Sequence, residues 1–268
     1  MALIHVDRVD KNFASRHGSI TIMQEISFEV ADSDFLAIVG PSGCGKSTLL
    51  RLIQGLDRPN GGSITFRDRP VTGVCAQMAM VFQNFALFPW LTVSQNVAFG
   101  LEALGWSADR IDAQVERYIS VTGLDGFQEA YPRELSGGMR QRVGLARALS
   151  VEPAILLMDE PFSALDPLTA ESLREEILQL WRDPQLPPEA VLLVTHNIEE
   201  AILLADRIVV LSRRPAHVLA EVAIDLPRPR DRKASAFYEL TDRVYSLITG
   251  GGGSGSASPD ASEAKTPS

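Results

Sequence analysis

Phe35-Leu36-Ala37-Ile38-Val39-Gly40-Pro41-Ser42-Gly43-Cys44-Gly45-Lys46-Ser47-Thr48 decides how the rest of this chain is read. Gly40 to Thr48 matches a phosphate-cradling loop: a glycine, four free positions, then Gly-Lys-Ser/Thr. The apolar run 35–39 before it is of the buried-strand type. Ser47 to Ile53 after it reads as a helix ended by Gly55 and Pro59. In that setting the glycines let the backbone fold tightly, so that successive N–H groups point at phosphate oxygens. The helix N-terminus adds the positive end of its dipole. Lys46 then reaches the β and γ phosphates and Ser47 ligates Mg²⁺. An ordinary glycine-rich turn would not need both flanks.

Composition bounds the remainder. With 268 residues, 45% hydrophobic and 22% charged, the chain is long enough for a real core in one large or two smaller domains. A net charge of −9 argues against a nucleic-acid clamp and against electrostatic attachment to an anionic bilayer. Cys44 and Cys75 are the only cysteines, which suggests neither a disulfide framework nor a cysteine metal site and fits a reducing cytoplasm. No signal segment opens the sequence, and no apolar run approaches the ~18 residues of a membrane span. A membrane role is expected to come through a partner.

Leu3 to Val9 and Ile20 to Val30 alternate as half-buried antiparallel strands do. Phe13, between them, either stacks on an adenine or packs at a strand end. Ser63–Phe66 and Met78–Phe82 read as strands, the second delivering Gln83. From Asn84 the pattern turns helical: Ser94 to Leu104, then a helix capped by Ser107 with Ile111, Val115 and Ile119 on one face. Leu135-Ser136-Gly137-Gly138-Met139-Arg140-Gln141-Arg142 leads into a further helix. Ser136 there is either a simple cap or part of a second anion site.

A buried-type strand, Ala154 to Met158, ends in Asp159-Glu160. At a strand end in a phosphate-loop protein these carboxylates divide labour: Asp159 binds Mg²⁺ through water, and Glu160 polarises a water for in-line attack on the γ-phosphorus. Ser163-Ala164-Leu165-Asp166 and a helix opened by Pro167 follow. Val191 to Thr195 is another buried strand and places His196 at its end. His5, His17 and His217 read as ordinary structural or surface residues.

Taken together and in order, the loop 40–48, Gln83, the Leu-Ser-Gly-Gly run, Asp159-Glu160, Ser-Ala-Leu-Asp and His196 resemble the motifs of an ATP-binding-cassette (ABC) ATPase over roughly residues 3–225. The resemblance implies an α/β fold, a RecA-like P-loop NTPase core (1–83 and 151–225) with an N-terminal antiparallel β-subdomain and an inserted α-helical subdomain (84–150). It implies ATP and Mg²⁺ as ligands, Gly40, Pro41, Ser42, Gly43, Cys44, Gly45, Lys46, Ser47 and Thr48 on the phosphates, and Phe13 as adenine platform. Gln83 becomes the sensor near Mg²⁺ and the attacking water, and His196 the γ-phosphate switch. A head-to-tail dimer, with itself or a close paralogue, would set Ser136, Gly137, Gly138 and Gln141 of one copy on the ATP of the other, with Asp166 in the adjoining loop.

The stretches Val81 to Val93 and Val194 to Ala201, with Ile224 to Arg230, are similar to ATPase subunits of bacterial importers for nitrate, sulfonates and taurine. Importers of glycine betaine, polyamines or thiamine precursors share much of that region. This resemblance implies an integral membrane permease as partner, a periplasmic or extracellular solute-binding protein acting indirectly, and a peripheral place on the cytoplasmic face of the membrane. Phe85, Phe88 and Trp90 would dock the permease; for Leu87 and Phe88 a core role stays open. A soluble ABC ATPase without a transport role is the main alternative, although such proteins usually carry two cassettes or long coiled-coil insertions. A P-loop kinase or GTPase fits less well, since no guanine-reading Asn-Lys-x-Asp occurs. Residues 226–249 read as an extension with a short helix from Ala236 to Ile248, and 250–268 as a disordered tail.

Overall fold

In the computed structural model, which describes residues 2–15, 18–183 and 188–250, the chain begins with a long antiparallel hairpin, β1 (Ala2–Ser15) and β2 (Gly18–Ala31). Both strands outrun the alternating segments of the sequence. Register shifts between Val6 and Asn12 break the period of two, and the backbone ladder then carries the polar remainder as far as the pair Ser15 and Gly18. β3 (Phe35–Val39) and α1 (Lys46–Gln54) follow, then β4 (Gly61–Phe66) and a two-residue β5 (Arg69–Pro70). The first sheet runs in the order β2-β1-β4-β5.

The second half of the chain builds around a six-stranded sheet. Its further elements are β6 (Met78–Val81), α2 (Val93–Ala103), α3 (Ala108–Val121), α4 (Gly137–Ser150), β7 (Ile155–Asp159), α5 (Pro167–Arg182), β8 (Ala190–Thr195), α6 (Ile198–Leu204), β9 (Arg207–Leu211), β10 (Val218–Ala223) and α7 (Ser235–Gly250). The order is β10-β9-β3-β8-β7-β6, parallel except for the antiparallel edge strand β10.

The continuous apolar runs of β3, β7 and β8 have a direct cause: both faces of this sheet are covered. Phe35, Ala37, Val39, Leu156 and Met158 face one hydrophobic core with residues of α2 to α7. Leu36, Ile38, Ile155 and Leu157 face a second core with α1 and the N-terminal sheet. Sequential strands of a parallel sheet all end on one edge, so the residues that follow β3, β6, β7 and β8 gather there.

Several local expectations shift. α2 starts a residue earlier than its periodicity suggested, because Thr92 caps it: Thr92 Oγ1 accepts from Gln95 N–H, and Gln95 Oε1 accepts from Thr92 N–H. Ser107 stands at the cap of α3 without a side-chain hydrogen bond. α7 extends to Gly250, one residue into the stretch read as tail; residues 251–268 lie outside the described residues. Ahead of α7, Arg228 and Arg230 clamp the end of α6. Arg228 donates to Leu204 O and pairs with Asp206, and Arg230 donates to Ile202 O, Ala205 O and Leu226 O. Burial lowers the Arg230 guanidinium pKa to about 10, yet the Ile202, Leu204 and Ala205 carbonyls are ones a helix C-terminus leaves unsatisfied.

Candidate functional site

The loop between β3 and α1 takes its shape from its glycines. Gly43 (φ 75°) and Gly45 (φ 118°) lie in the left-handed region, and a Cβ on Gly45 would come within 2.6 Å of Ile22 Cγ2. Gly40 is constrained by packing instead, since a Cβ there would sit 3.0 Å from Leu211 O and 3.1 Å from Cys44 Sγ. Cys44 is buried, which pushes its thiol up against the opposing pull of Lys46, so it packs as a small apolar residue rather than a nucleophile.

Lys46 is 4% exposed, and its Nζ donates to Gly40 O (2.9 Å) and Pro41 O (3.3 Å), 3.9 Å from Glu160 Oε1. Ser47 Oγ donates to Asp159 Oδ1 at 2.7 Å. Burial raises the Asp159 carboxyl above its ordinary value, and the Ser47 hydrogen bond pulls the other way. A hydroxyl and one carboxylate are hard oxygen donors that suit Mg²⁺, which fills its remaining positions with water and phosphate oxygens. Among the described residues no cluster of three His, Cys, Asp or Glu forms a self-sufficient metal cage.

Glu160, in a left-handed conformation (φ 46°), donates its N–H to Val194 O, and its Oε2 lies 3.1 Å from His196 Nδ1. Gln83 Nε2 donates to Ser163 Oγ (3.1 Å), and Ser163 Oγ donates to Glu160 O (2.9 Å). The fold thus brings together the loop 40–48, Gln83, Asp159, Glu160 and His196 at one sheet edge, with a lysine, a magnesium-type oxygen pair and a carboxylate within a few ångströms. Such a set can neutralise phosphate charge and orient a water. Ser163, quoted in sequence only as the start of Ser-Ala-Leu-Asp, links Gln83 to the Glu160 loop, and one participant escaped sequence reading, Arg214, which donates to Gly43 O. Nothing local in the sequence marks Arg214.

Phe13 is 43% exposed rather than packed, with Lys11 Nζ 5.0 Å from its ring centroid. It pairs with Ile20 near the end of the hairpin, and Lys11, two residues before it, pairs with Met23, whose Cε would lie 3.3 Å from a Cβ on Gly45.

Ser136, Gly137 and Gly138 lie at the start of α4. Ser136 is exposed, and its Oγ accepts from Met139 N–H as the cap of α4. Gly137 and Gly138 lie against Leu165 and Thr169, and Asp166 caps α5 through Thr169 N–H. Within one chain, no described hydrogen bond joins them to the phosphate loop. Gln141 needs correction: it is 1% exposed with both amide atoms unpartnered, so its side chain faces the interior of the molecule and is not presented to a second copy.

Beyond Gln83, Phe85 (φ 59°) and Ala86 (φ 47°) are left-handed, and Arg147 of α4 donates to both their carbonyls. Leu87 packs on the main core, whereas Trp90 is 69% exposed. The Phe88 ring lies 4.4 Å from that of Phe99, itself exposed, and 5.7 Å from that of Trp90. Together they form an aromatic surface one loop away from Gln83.

Comparison with known proteins agrees with this geometry. The family model described as "ABC transporter" matches residues 23–163. The nitrate import ATP-binding protein NrtD of Synechocystis sp. is 43% identical over 258 residues, covering 92% of this chain and 96% of the relative. The aliphatic sulfonates import ATP-binding protein SsuB of Bacillus cereus is 38% identical over 249 residues, covering 93% and 97%. Among solved structures, the dimeric post-hydrolysis state of the ATP-binding cassette MJ0796 bound to ADP and Pi superposes with a TM-score of 0.73 at 29% identity, over 82% of this chain and 98% of that one.

Proposed function

Because the chain belongs to the ABC transporter family and is an ATPase, we propose that it powers a bacterial importer for a small anion such as nitrate, a sulfonate or taurine through a separate permease. The observation that carries the hydrolytic part is the convergence of Lys46, Ser47, Asp159, Glu160, Gln83 and His196 at one sheet edge. Lys46 and the glycine-loop N–H groups hold the β and γ phosphates, and Phe13 receives the adenine. Ser47 and Asp159, with Gln83 nearby, would hold Mg²⁺, which would supply positive charge against the phosphate oxygens. Glu160 accepts the proton of the attacking water, and His196 contacts the γ-phosphate and steadies the Glu160 carboxylate.

Ser136, Gly137 and Gly138 make no described hydrogen bond to the phosphate loop of their own chain, and they act on ATP held by a second copy. Asp166, in the loop they pack against, then lies at the same junction. The aromatic surface of Phe88, Phe99 and Trp90, with Phe85 earlier in the same loop, supports a docking role for the permease. No described helix is long and apolar enough to cross a membrane, so the solute would pass through that partner, with a solute-binding protein acting from the other side.

Two experiments test the reading. Mixing Lys46→Ala and Ser136→Arg copies, each inactive alone, should restore ATP hydrolysis through one intact composite site; no recovery at any ratio refutes the shared site. Vesicles carrying the co-expressed permease should take up labelled nitrate or an alkanesulfonate and stop with Glu160→Gln. Uptake of glycine betaine instead would overturn the anion assignment.

A further inference from the structure

Thr195, the last residue of β8, is buried, and its hydroxyl has one proton to give. It gives that proton to Glu200 Oε2 at 2.8 Å, which leaves an oxygen lone pair to accept Asn197 N–H at 3.0 Å. Asn197 Oδ1 in turn accepts Glu200 N–H at 3.3 Å. Three hydrogen bonds therefore close a ring around His196, the one residue between Thr195 and Asn197. The ring is anchored from outside: Arg174 Nη1 of α5 donates to Glu200 Oε1 at 2.9 Å, and Arg174 and Glu200 are both buried. Arg174 is itself steadied by Glu171 at 2.9 Å and by the Phe162 ring.

An ordinary helix start would need only part of this. Asn197 caps α6 by itself, so the Thr195–Glu200–Arg174 link is surplus to forming that helix. Its evident effect is on His196, whose half-exposed ring sits 3.1 Å from Glu160 Oε2 on a backbone pinned at both neighbours. We infer that Thr195 and Glu200 are positioning residues that hold His196 against Glu160 and the γ-phosphate, an inference that rests on the hydrolytic role given to His196 above. The link also runs to α5, whose cap is Asp166, so the histidine loop is tied by hydrogen bonds to the helix behind Asp166.

The test is steady-state ATP hydrolysis by the full chain with Mg²⁺ present. Thr195→Val keeps the buried shape and removes the hydroxyl. Its kcat should fall about 10- to 100-fold, the range that small misplacement of a reacting group produces. KM should stay within about twofold, because the loop that binds the phosphates is untouched. Thr195→Ser should restore most of the rate, and Glu200→Gln, which keeps volume but puts an amide where the hydroxyl proton must go, should repeat the loss. In a His196→Ala background, Thr195→Val should cost nothing further. A parental kcat for Thr195→Val, or an equal loss in both backgrounds, overturns the inference. Should Thr195→Val melt early, Glu200→Gln decides by the same two comparisons. Parental activity of His196→Ala alone would instead strike the hydrolytic reading on which this role depends.

Discussion

Arg147→Ala should loosen the loop that connects Gln83 to the exposed aromatics. In the parent, Arg147 donates to Ala86 O at 2.7 Å and Phe85 O at 3.1 Å and lies 5.8 Å from the Phe88 ring centroid. Phe85 and Ala86 are left-handed without being glycine, which costs about 1–2 kcal/mol per residue, so the loop needs an external hold. Charge-assisted hydrogen bonds contribute roughly 1.5–3 kcal/mol each, but the exposed Ala86 carbonyl recovers most of its bond from water. Removing the guanidinium also relieves the burial that lowers its pKa. The net loss works out at about 2 kcal/mol, which is a fall of roughly 4–8 °C in Tm for a chain of this size. Hydrogen exchange of amides 84–90 should accelerate by about thirtyfold, and Ala86→Gly in the same background should return part of it, since glycine carries no Cβ penalty at positive φ. Unchanged exchange in 84–90 with Tm within about 1 °C of the parent would refute the idea that Arg147 holds this strained loop.

Glu160→Gln should keep ATP binding and slow hydrolysis by about a hundredfold or more, since the phosphate and Mg²⁺ ligands remain while the proton acceptor is gone. Light scattering should then show an ATP-dependent dimer; a monomer in excess ATP would count against the head-to-tail dimer. Trp90→Ala should leave the fold within about 0.5 kcal/mol, because the ring is mostly exposed, and should abolish co-purification with the permease. Unfolding of that variant would make Trp90 a core residue.

The raised Asp159 carboxyl has a definite sign. Its folded pKa lies above the ordinary 3.8, so the native state holds more protons and this group's contribution to stability falls as pH rises through that window. Mg²⁺ needs the ionised form, so Mg²⁺ affinity should weaken on acidification at a pH where ordinary aspartates are still charged. Asp159→Asn should remove that pH dependence in a calorimetric titration, and its persistence would place it elsewhere.

What the sequence determined by itself was whatever contiguous residues encode. Short apolar runs at 35–39, 154–158 and 191–194 read as strands of the buried type, and glycines at 43 and 45 fit backbone angles that other residues resist. Asp159, Glu160 and His196 were legible because a parallel sheet carries all its strand ends to one edge, so strand plus polar terminus is enough to locate them.

Tertiary structure decided the rest, because it depends on which distant residues meet. Gln141 shares the sequence neighbourhood of Ser136 but points inward, since helical periodicity turns it to the face that α4 buries. Bulges carried the N-terminal hairpin past the end of its alternation. Arg147 on Phe85, Arg214 on Gly43 and Arg230 on the end of α6 join positions far apart in the chain. An arginine in sequence shows only a charge on a long stem. Which carbonyl it satisfies is set by the packing that brings the two together and removes the competing water.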